Sequence, residues 1–232
     1  VTAPLSPAEI EALKKITTPT MSNAIETFNV RPRNEGFMDS SIRCILPELG
    51  VMVGYACTLT IRAGREEPSP SPLEVWGGVL QVPEPRVVVV QDLDAPNPIG
   101  SYWGEVNGNT YKALGCVGAV TNGGVRDLDE VRRLGFHFFA SCVLVSHAYE
   151  HVVDFGKPVQ VGGVTVKPGD LIHADQHGVL LVPPEIAREL PKAAAEYEAM
   201  ERRVISLCQS PEFSPQKLLD LYVQQAQESG KA

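Results

Sequence analysis

The segment "RVVVVQDLD", residues 86–94, constrains the fold more than any other. Val87–Val90 present no polar face, so the strand they form must be covered on both sides, which is the condition of a strand inside a parallel sheet. Two further apolar runs, Cys116–Thr121 and "FHFFASCVLVS", alternate with helical patterns over 105–114 and in "VRDLDEVRRLG". In the second helix Leu128, Val131 and Leu134 form the inward stripe, and Gly135 supplies the stop. Strands alternating with helices in this way predict an α/β fold. "VMVGYACTLTIRA" reads as one more strand.

The flanks have a different character. Ser6, Pro7 and Glu9 have the spacing of a capping box ahead of Ile10, Leu13 and Ile16. A second helix carries Met21, Ala24, Ile25 and Phe28 on one stripe, with Thr18 or Thr20 as its cap. "EEPSPSP" is a loop, and "LEVWGGVLQV" fits a short helix better than a strand. "PVQVGGVTVKPGDLIHADQHGVLLVP" turns at Gly162–Gly163 and Pro168–Gly169, and reads as a β-hairpin followed by one more strand. "PPEIARELPKAAAEYEAMERRVISLC" is expected to form one long helix interrupted at Pro191, with one short helix after it. We expect a single domain over residues 1–232, with its core at about 16–205 and a helical tail at 206–232. Its β on β packing on one side and helices on the other make a layered β/β/α arrangement.

Hydrophobic residues make up 44% of the 232, and the net charge is −8. That acidic balance argues against nucleic acid as a partner. It permits a small anionic ligand, because one local cation dominates within a screening length of roughly 8–10 Å. No apolar run is long enough to span a membrane, and "VTAPLSPAEI" lacks the pattern of a secretory signal. A first residue other than Met hints at trimming. Five scattered cysteines without CxxC spacing predict reduced thiols and a cytoplasmic location.

Residues 104–130 carry the candidate chemistry. A buried strand leaving through Gly123–Gly124 toward a helix start is a place where ligands collect. Arg126 offers a planar fork for a carboxylate. Asp127 and Glu130, three apart, would share a helix face and offer hard oxygens to a hydrated Mg²⁺. A cation fork beside such an ion suits a small keto acid.

"TPTMSNAIE", "PELGVMVGYA", "YWGEVNGNTYKALGCVGAVTNGGVRDLDEV" and "VGGVTVKPGDLIHADQHGVLLVP" together resemble the RraA-like family. Its most specific mark is a glycine followed about twenty residues later by Arg-Asp and an acid three beyond the Asp; here these are Gly104, Arg126, Asp127 and Glu130. The family contains divalent-metal aldolases that act on 4-hydroxy-4-methyl-2-oxoglutarate and 4-carboxy-4-hydroxy-2-oxoadipate, and also a non-catalytic regulator that binds a ribonuclease. The resemblance implies a fold of the swivelling-domain type. It also implies a class II aldolase or oxaloacetate decarboxylase using Mg²⁺ or Mn²⁺, assembled as a homotrimer or hexamer with the site at a subunit interface.

By the same resemblance Asp127 is the metal ligand, and Arg126 binds the substrate carboxylate and keto oxygen. Glu130 and Glu105 act on metal waters or substrate, and the backbone N–H groups of Val106 and Asn107 hold the pyruvyl carboxylate. A glutamate from a neighbouring subunit's C-terminal helix completes the site. Glu198 is the best match for it, with Glu196 and Glu201 as rivals. Asn122 and Asn107 depart from the aldolase pattern.

Two other motifs compete. "HAYEH", residues 147–151, matches the inverted zinc-protease spacing, but it follows a strand and lacks a helix to carry it. His173, Asp175 and His177 alternate and read as a polar end of a sheet. Lys112 is the one lysine placed for a Schiff base, and nothing marks it as desolvated.

Overall fold

The computed structural model describes residues 3–228. In chain order its elements are α1 (Pro7–Leu13), α2 (Thr18–Thr27), β1 (Arg43–Cys44), β2 (Met52–Arg62), α3 (Pro72–Leu80), β3 (Arg86–Asp92), α4 (Glu105–Ala113), β4 (Cys116–Thr121), β5 (Gly124–Val125), α5 (Leu128–Leu134), β6 (His137–Ala140), β7 (Cys142–Val143), β8 (His151–Phe155), β9 (Val159–Val161), β10 (Val164–Val166), β11 (Leu171–Asp175), β12 (Gly178–Val182), α6 (Leu190–Cys208) and α7 (Pro215–Glu228).

The main sheet has the order β1-β6-β4-β3-β2-β11-β12. Its centre, β2, β3, β4 and β6, is parallel. β2 is long enough to hold β11 on its first half and β8 on its second, both antiparallel.

The four valines of β3 explain the layering. Val88 and Val90 pack beneath the helices, with Ile10, Met21, Val79, Tyr111, Val131 and Ala194 in one core. Val87 and Val89 point the other way and meet Val159, Val161 and Val166 of the β9–β10 hairpin. All four are fully buried. Each contributes roughly 1.5–3 kcal/mol of burial, an upper estimate because the unfolded chain already hides part of that surface. The expected β/β/α layering is the observed one.

Several local expectations are corrected. Thr17, not Thr18 or Thr20, caps α2, its hydroxyl accepting from the Thr20 N–H at 3.3 Å. "FHFFASCVLVS" is not one strand. It breaks at Ser141, whose hydroxyl donates to the carbonyls of Asn122 and Gly123 and so ends β6. The 159–182 region forms two hairpins rather than a hairpin and a strand, because β11 and β12 pair around a turn at Gln176–His177. The expected break at Pro191 is a start instead. α6 begins at Leu190 with Pro191 in its first turn, where a missing N–H costs nothing, and the residues before it form turns. The capping box of α3, Ser71 with Glu74, and the strand β8 lay outside the sequence expectations.

Candidate active site

The parallel strands β3, β4 and β6 end side by side, at Asp92, Thr121 and Ala140. Gly123 and Gly124 carry the chain away from this edge, and their role is space. A Cβ on Gly123 would lie 2.6 Å from Asp92 Oδ2, and one on Gly124 would lie 2.5 Å from Leu144 Cδ1. The exit is the short strand β5, paired in parallel with β7, and not the first turn of a helix.

Arg126 follows, its N–H donating to the Trp103 carbonyl at 3.0 Å. That bond lays residues 100–104 along 124–126, with the Ser101 hydroxyl donating to the Trp103 and Gly124 carbonyls. Trp103 is fully buried among Tyr102, Tyr111, Phe136 and Phe138, which fixes this segment from beneath.

Asp127 precedes α5 and adopts the left-handed conformation at φ +56°. This differs from the expected helix face shared with Glu130. The Asp127 carboxylate turns toward α4, and its Oδ2 accepts the Glu105 N–H at 2.9 Å. Glu130 instead reaches along its own helix to Arg133, at 3.1 Å. Arg126 Nε stands 3.7 Å from Asp127 Oδ2, beyond direct hydrogen bonding. The two side chains are 34% and 36% exposed, so they converge on solvent and are not sealed in the core.

Gly104 makes the convergence possible. A Cβ there would lie 2.4 Å from Asp127 Oδ2 and 3.2 Å from Arg126 Nε. Gly104 also caps α4, whose first-turn amides include those of Val106 and Asn107. Amides in a first turn have no intrahelical acceptor and bring partial positive charge to the same spot. The Glu105 side chain is exposed beside them.

The two unusual asparagines have structural tasks. Asn122 accepts the Asp92 N–H through Oδ1 at 2.7 Å and donates to the Asp92 carbonyl through Nδ2 at 3.2 Å. An ionised aspartate has no donor for the second bond. Asn107 Nδ2 donates to the Tyr102 carbonyl at 2.6 Å, which ties its carboxamide to the backbone ahead of α4.

Glu198 is exposed on α6, which packs chiefly on α2, with further contacts to α7 and α1. Glu196 and Glu201 lie on the same helix.

The competing motifs resolve into structure. "HAYEH" is a loop that runs into β8 at His151, with Ala148 at φ +50°, and not a helix. His173 is fully buried, with Nε2 donating to the Leu13 carbonyl and Nδ1 bonded to the Thr18 hydroxyl. Asp175 accepts from the N–H groups of Thr18 and His177. Lys112 donates to the Leu134 carbonyl.

Among the described residues no three His, Cys, Asp or Glu side chains form a metal cage. The donor set at Asp127 is one carboxylate among exposed oxygens, which fits a hard ion that keeps most of its water and does not fit zinc. The cavity of about 370 Å³ between β2 and α3 has no charged lining residue and is unsuited to a keto acid.

The RraA-like family (Aldolase/RraA) matches residues 18–181. Among curated proteins, "Protein DlpA" of Legionella pneumophila is 26% identical over 53% of this chain and 20% of its own length. A Halalkalibacterium halodurans protein named "Putative 4-hydroxy-4-methyl-2-oxoglutarate aldolase" is 31% identical over 40% of this chain and 47% of its own. The chain thus matches less than half the length of either. Streptomyces coelicolor RraAS2, described as an unusual member of the RNase ES inhibitor RraA protein family, superposes with a TM-score of 0.68 at 25% identity, over 86% of this chain and 97% of its own. An uncharacterised Pseudomonas syringae protein superposes at 0.73 and 22% identity, over 97% of each chain, and speaks for the fold alone. The Gly104, Arg126, Asp127 constellation stands within the matched residues, and the chain belongs to the RraA-like family.

Proposed function

We propose that this protein is a divalent-metal-dependent lyase that cleaves a 4-hydroxy-2-keto dicarboxylate, or decarboxylates oxaloacetate, to release pyruvate. One observation carries the reading: Arg126, Asp127 and the first-turn amides of α4 converge at Gly104, in a space that a single Cβ would fill. The aldolase name of the Halalkalibacterium relative supports it.

Asp127 would hold Mg²⁺ or Mn²⁺. Such an ion, when bound, supplies Lewis-acid polarisation of the substrate's keto group. The chain's own groups do the rest. The amides of Val106 and Asn107 receive the carboxylate next to the keto group, as helix N-termini receive anions. Arg126 holds the keto oxygen, and its attraction grows as negative charge develops there during C–C cleavage, so it favours the transition state over the bound substrate. Glu130 and Glu105 would accept ordered water beside the ion. Glu198 of a second copy would close the open side in a trimer or hexamer.

A second reading, docking on another protein as a regulator, is favoured by the likeness to RraAS2 and by the exposed apolar residues Val143, Val145 and Tyr149 near the site. Pyruvate release from oxaloacetate and from 4-hydroxy-4-methyl-2-oxoglutarate, with and without EDTA, separates the two. Release that needs the metal and disappears in Asp127→Ala is the expected result. No release from either substrate with Mg²⁺ or Mn²⁺ present would overturn the lyase reading in favour of docking.

A further inference from the structure

Among the described residues the guanidinium of Arg126 makes no hydrogen bond, and its Nε stands 3.7 Å from Asp127 Oδ2. Its aim therefore comes from the backbone beneath it. The Arg126 N–H rests on the Trp103 carbonyl at 3.0 Å. The side chain lies across Gly104, where a Cβ would meet Arg126 Cγ and Nε at 3.2 Å. Whatever fixes segment 100–104 against segment 124–126 also fixes the direction of the guanidinium.

Ser101 is that fastening. It is 2% exposed, and its hydroxyl lies 2.7 Å from the Trp103 carbonyl and 3.0 Å from the Gly124 carbonyl. The bond to Gly124 is the one side-chain hydrogen bond, among the described residues, that crosses between the two segments. The Ser101 N–H donates to the Ser146 carbonyl at 2.9 Å and ties the same residue to a third segment. Beside it Gly100 leaves no slack, since a Cβ there would lie 2.5 Å from both Ala63 Cβ and the His147 carbonyl oxygen. A buried hydroxyl costs free energy unless it is bonded, and here both acceptors flank the support of Arg126.

Ser141 makes a different bond set on the same chain exit. Its hydroxyl holds the carbonyls of Asn122 and Gly123, both at 2.9 Å, ahead of the β5–β7 pairing that holds Gly124 and Val125. It secures where the exit begins, whereas Ser101 secures where Arg126 stands.

We propose that Ser101 is the positioning residue of Arg126. Its hydroxyl sets segment 124–126 on segment 100–104, and so sets the direction from which the guanidinium meets the substrate's oxygen. The proposal rests on the lyase reading above. Ser101 touches no substrate, so its effect runs wholly through Arg126 and vanishes when the guanidinium is gone.

The test is a double-mutant cycle of Ser101→Ala with Arg126→Ala. It is read by calorimetric binding of Mn²⁺ and of oxalate, a stable mimic of the pyruvate enolate, beside the rate of pyruvate release. Ser101→Ala should bind Mn²⁺ within about threefold of wild type, weaken oxalate by about tenfold and lower kcat by about 10- to 100-fold, the scale of a misplaced group. Added to Arg126→Ala, it should change oxalate affinity by less than about twofold, whereas a merely structural defect would multiply through both backgrounds. Ser101→Cys, a weaker donor of nearly the same size, runs through the same cycle and should show a smaller drop with the same dependence on Arg126. Ser141→Ala should leave oxalate affinity within about threefold of wild type. No change in Ser101→Ala, Mn²⁺ binding lost along with oxalate, an equal drop in both backgrounds, or a drop as large in Ser141→Ala overturns the role of Ser101 alone. A wild type that binds oxalate with Mn²⁺ but releases no pyruvate overturns the lyase reading, while the binding cycle still decides whether Ser101 aims Arg126. A wild type that binds no oxalate with Mn²⁺ overturns both.

Discussion

Two polar clusters sit on this sheet, and their difference shows where chemistry is available. At the start of α2, His173, Asp175, Thr18 and His177 bond one another and the backbone. Each ring nitrogen of His173 and each oxygen of Asp175 has a partner. At the tips of β4 and β5, Arg126 and Asp127 stand 3.7 Å apart, about a third exposed, with bonding capacity left over. The first cluster is richer in metal-binding residue types and spends them on anchoring a helix. The second has fewer and leaves part of their bonding capacity toward solvent. Buried polar groups that satisfy one another hold a fold, whereas unsatisfied ones facing solvent can hold a ligand.

Asp127 should separate the two clusters most sharply. Asp127→Ala should reduce pyruvate release by about 10³-fold or more, the loss expected on the proposed reading, in which this carboxylate holds the ion. It should leave the melting temperature close to wild type, because the side chain makes one exposed hydrogen bond. Kinetics and calorimetry on the same preparation check both halves. The opposite pattern is expected at His173. His173→Leu strands the Thr18 hydroxyl and should cost about 2–4 kcal/mol in urea unfolding. The folded fraction should retain wild-type turnover.

Gly104→Ala sharpens the comparison from the active side. Its Cβ would push the Asp127 carboxylate out of place, and turnover should fall by about 10²-fold with stability little changed.

The smallest effect concerns stability and pH. The Glu150 carboxyl is held up to about 7, above its ordinary 4.5, by burial. The folded state therefore resists ionisation, and stability is lost as pH rises from about 4.5 to about 7. Removing the charge with Glu150→Gln should recover about 2 kcal/mol at pH 8 and nothing at pH 4, read from urea unfolding at the two pH values. Asp175 has the reverse sign. Burial pushes its carboxyl up, but hydrogen bonds from Thr18 and His177 outweigh that and hold it below the ordinary carboxylate range. Its stabilisation is present at neutral pH and fades only in acid.

The layering was legible because Val87–Val90 leave no polar face, and the Ser6 box and the Gly162–Gly163 turn were legible from local chemistry. The break at Ser141 was not, since it depends on carbonyls of Asn122 and Gly123 that only the sheet brings near. Arg126 and Asp127 stood out from residue type and spacing. Their geometry did not, because helix periodicity carried Asp127 onto α5, whereas the Glu105 amide and the left-handed backbone turn it toward α4.

On the proposed reading, Asp127 and Arg126 grip one chelated keto acid through a shared ion. Water-proton relaxation of Mn²⁺ titrated into the protein, with and without oxalate, tests it most directly. Oxalate and Mn²⁺ should tighten each other's binding by about tenfold or more. Asp127→Ala should lose the ion, and Arg126→Ala should keep the ion but lose the coupling. Mn²⁺ binding that survives Asp127→Ala unchanged, or oxalate binding indifferent to the ion, would contradict it.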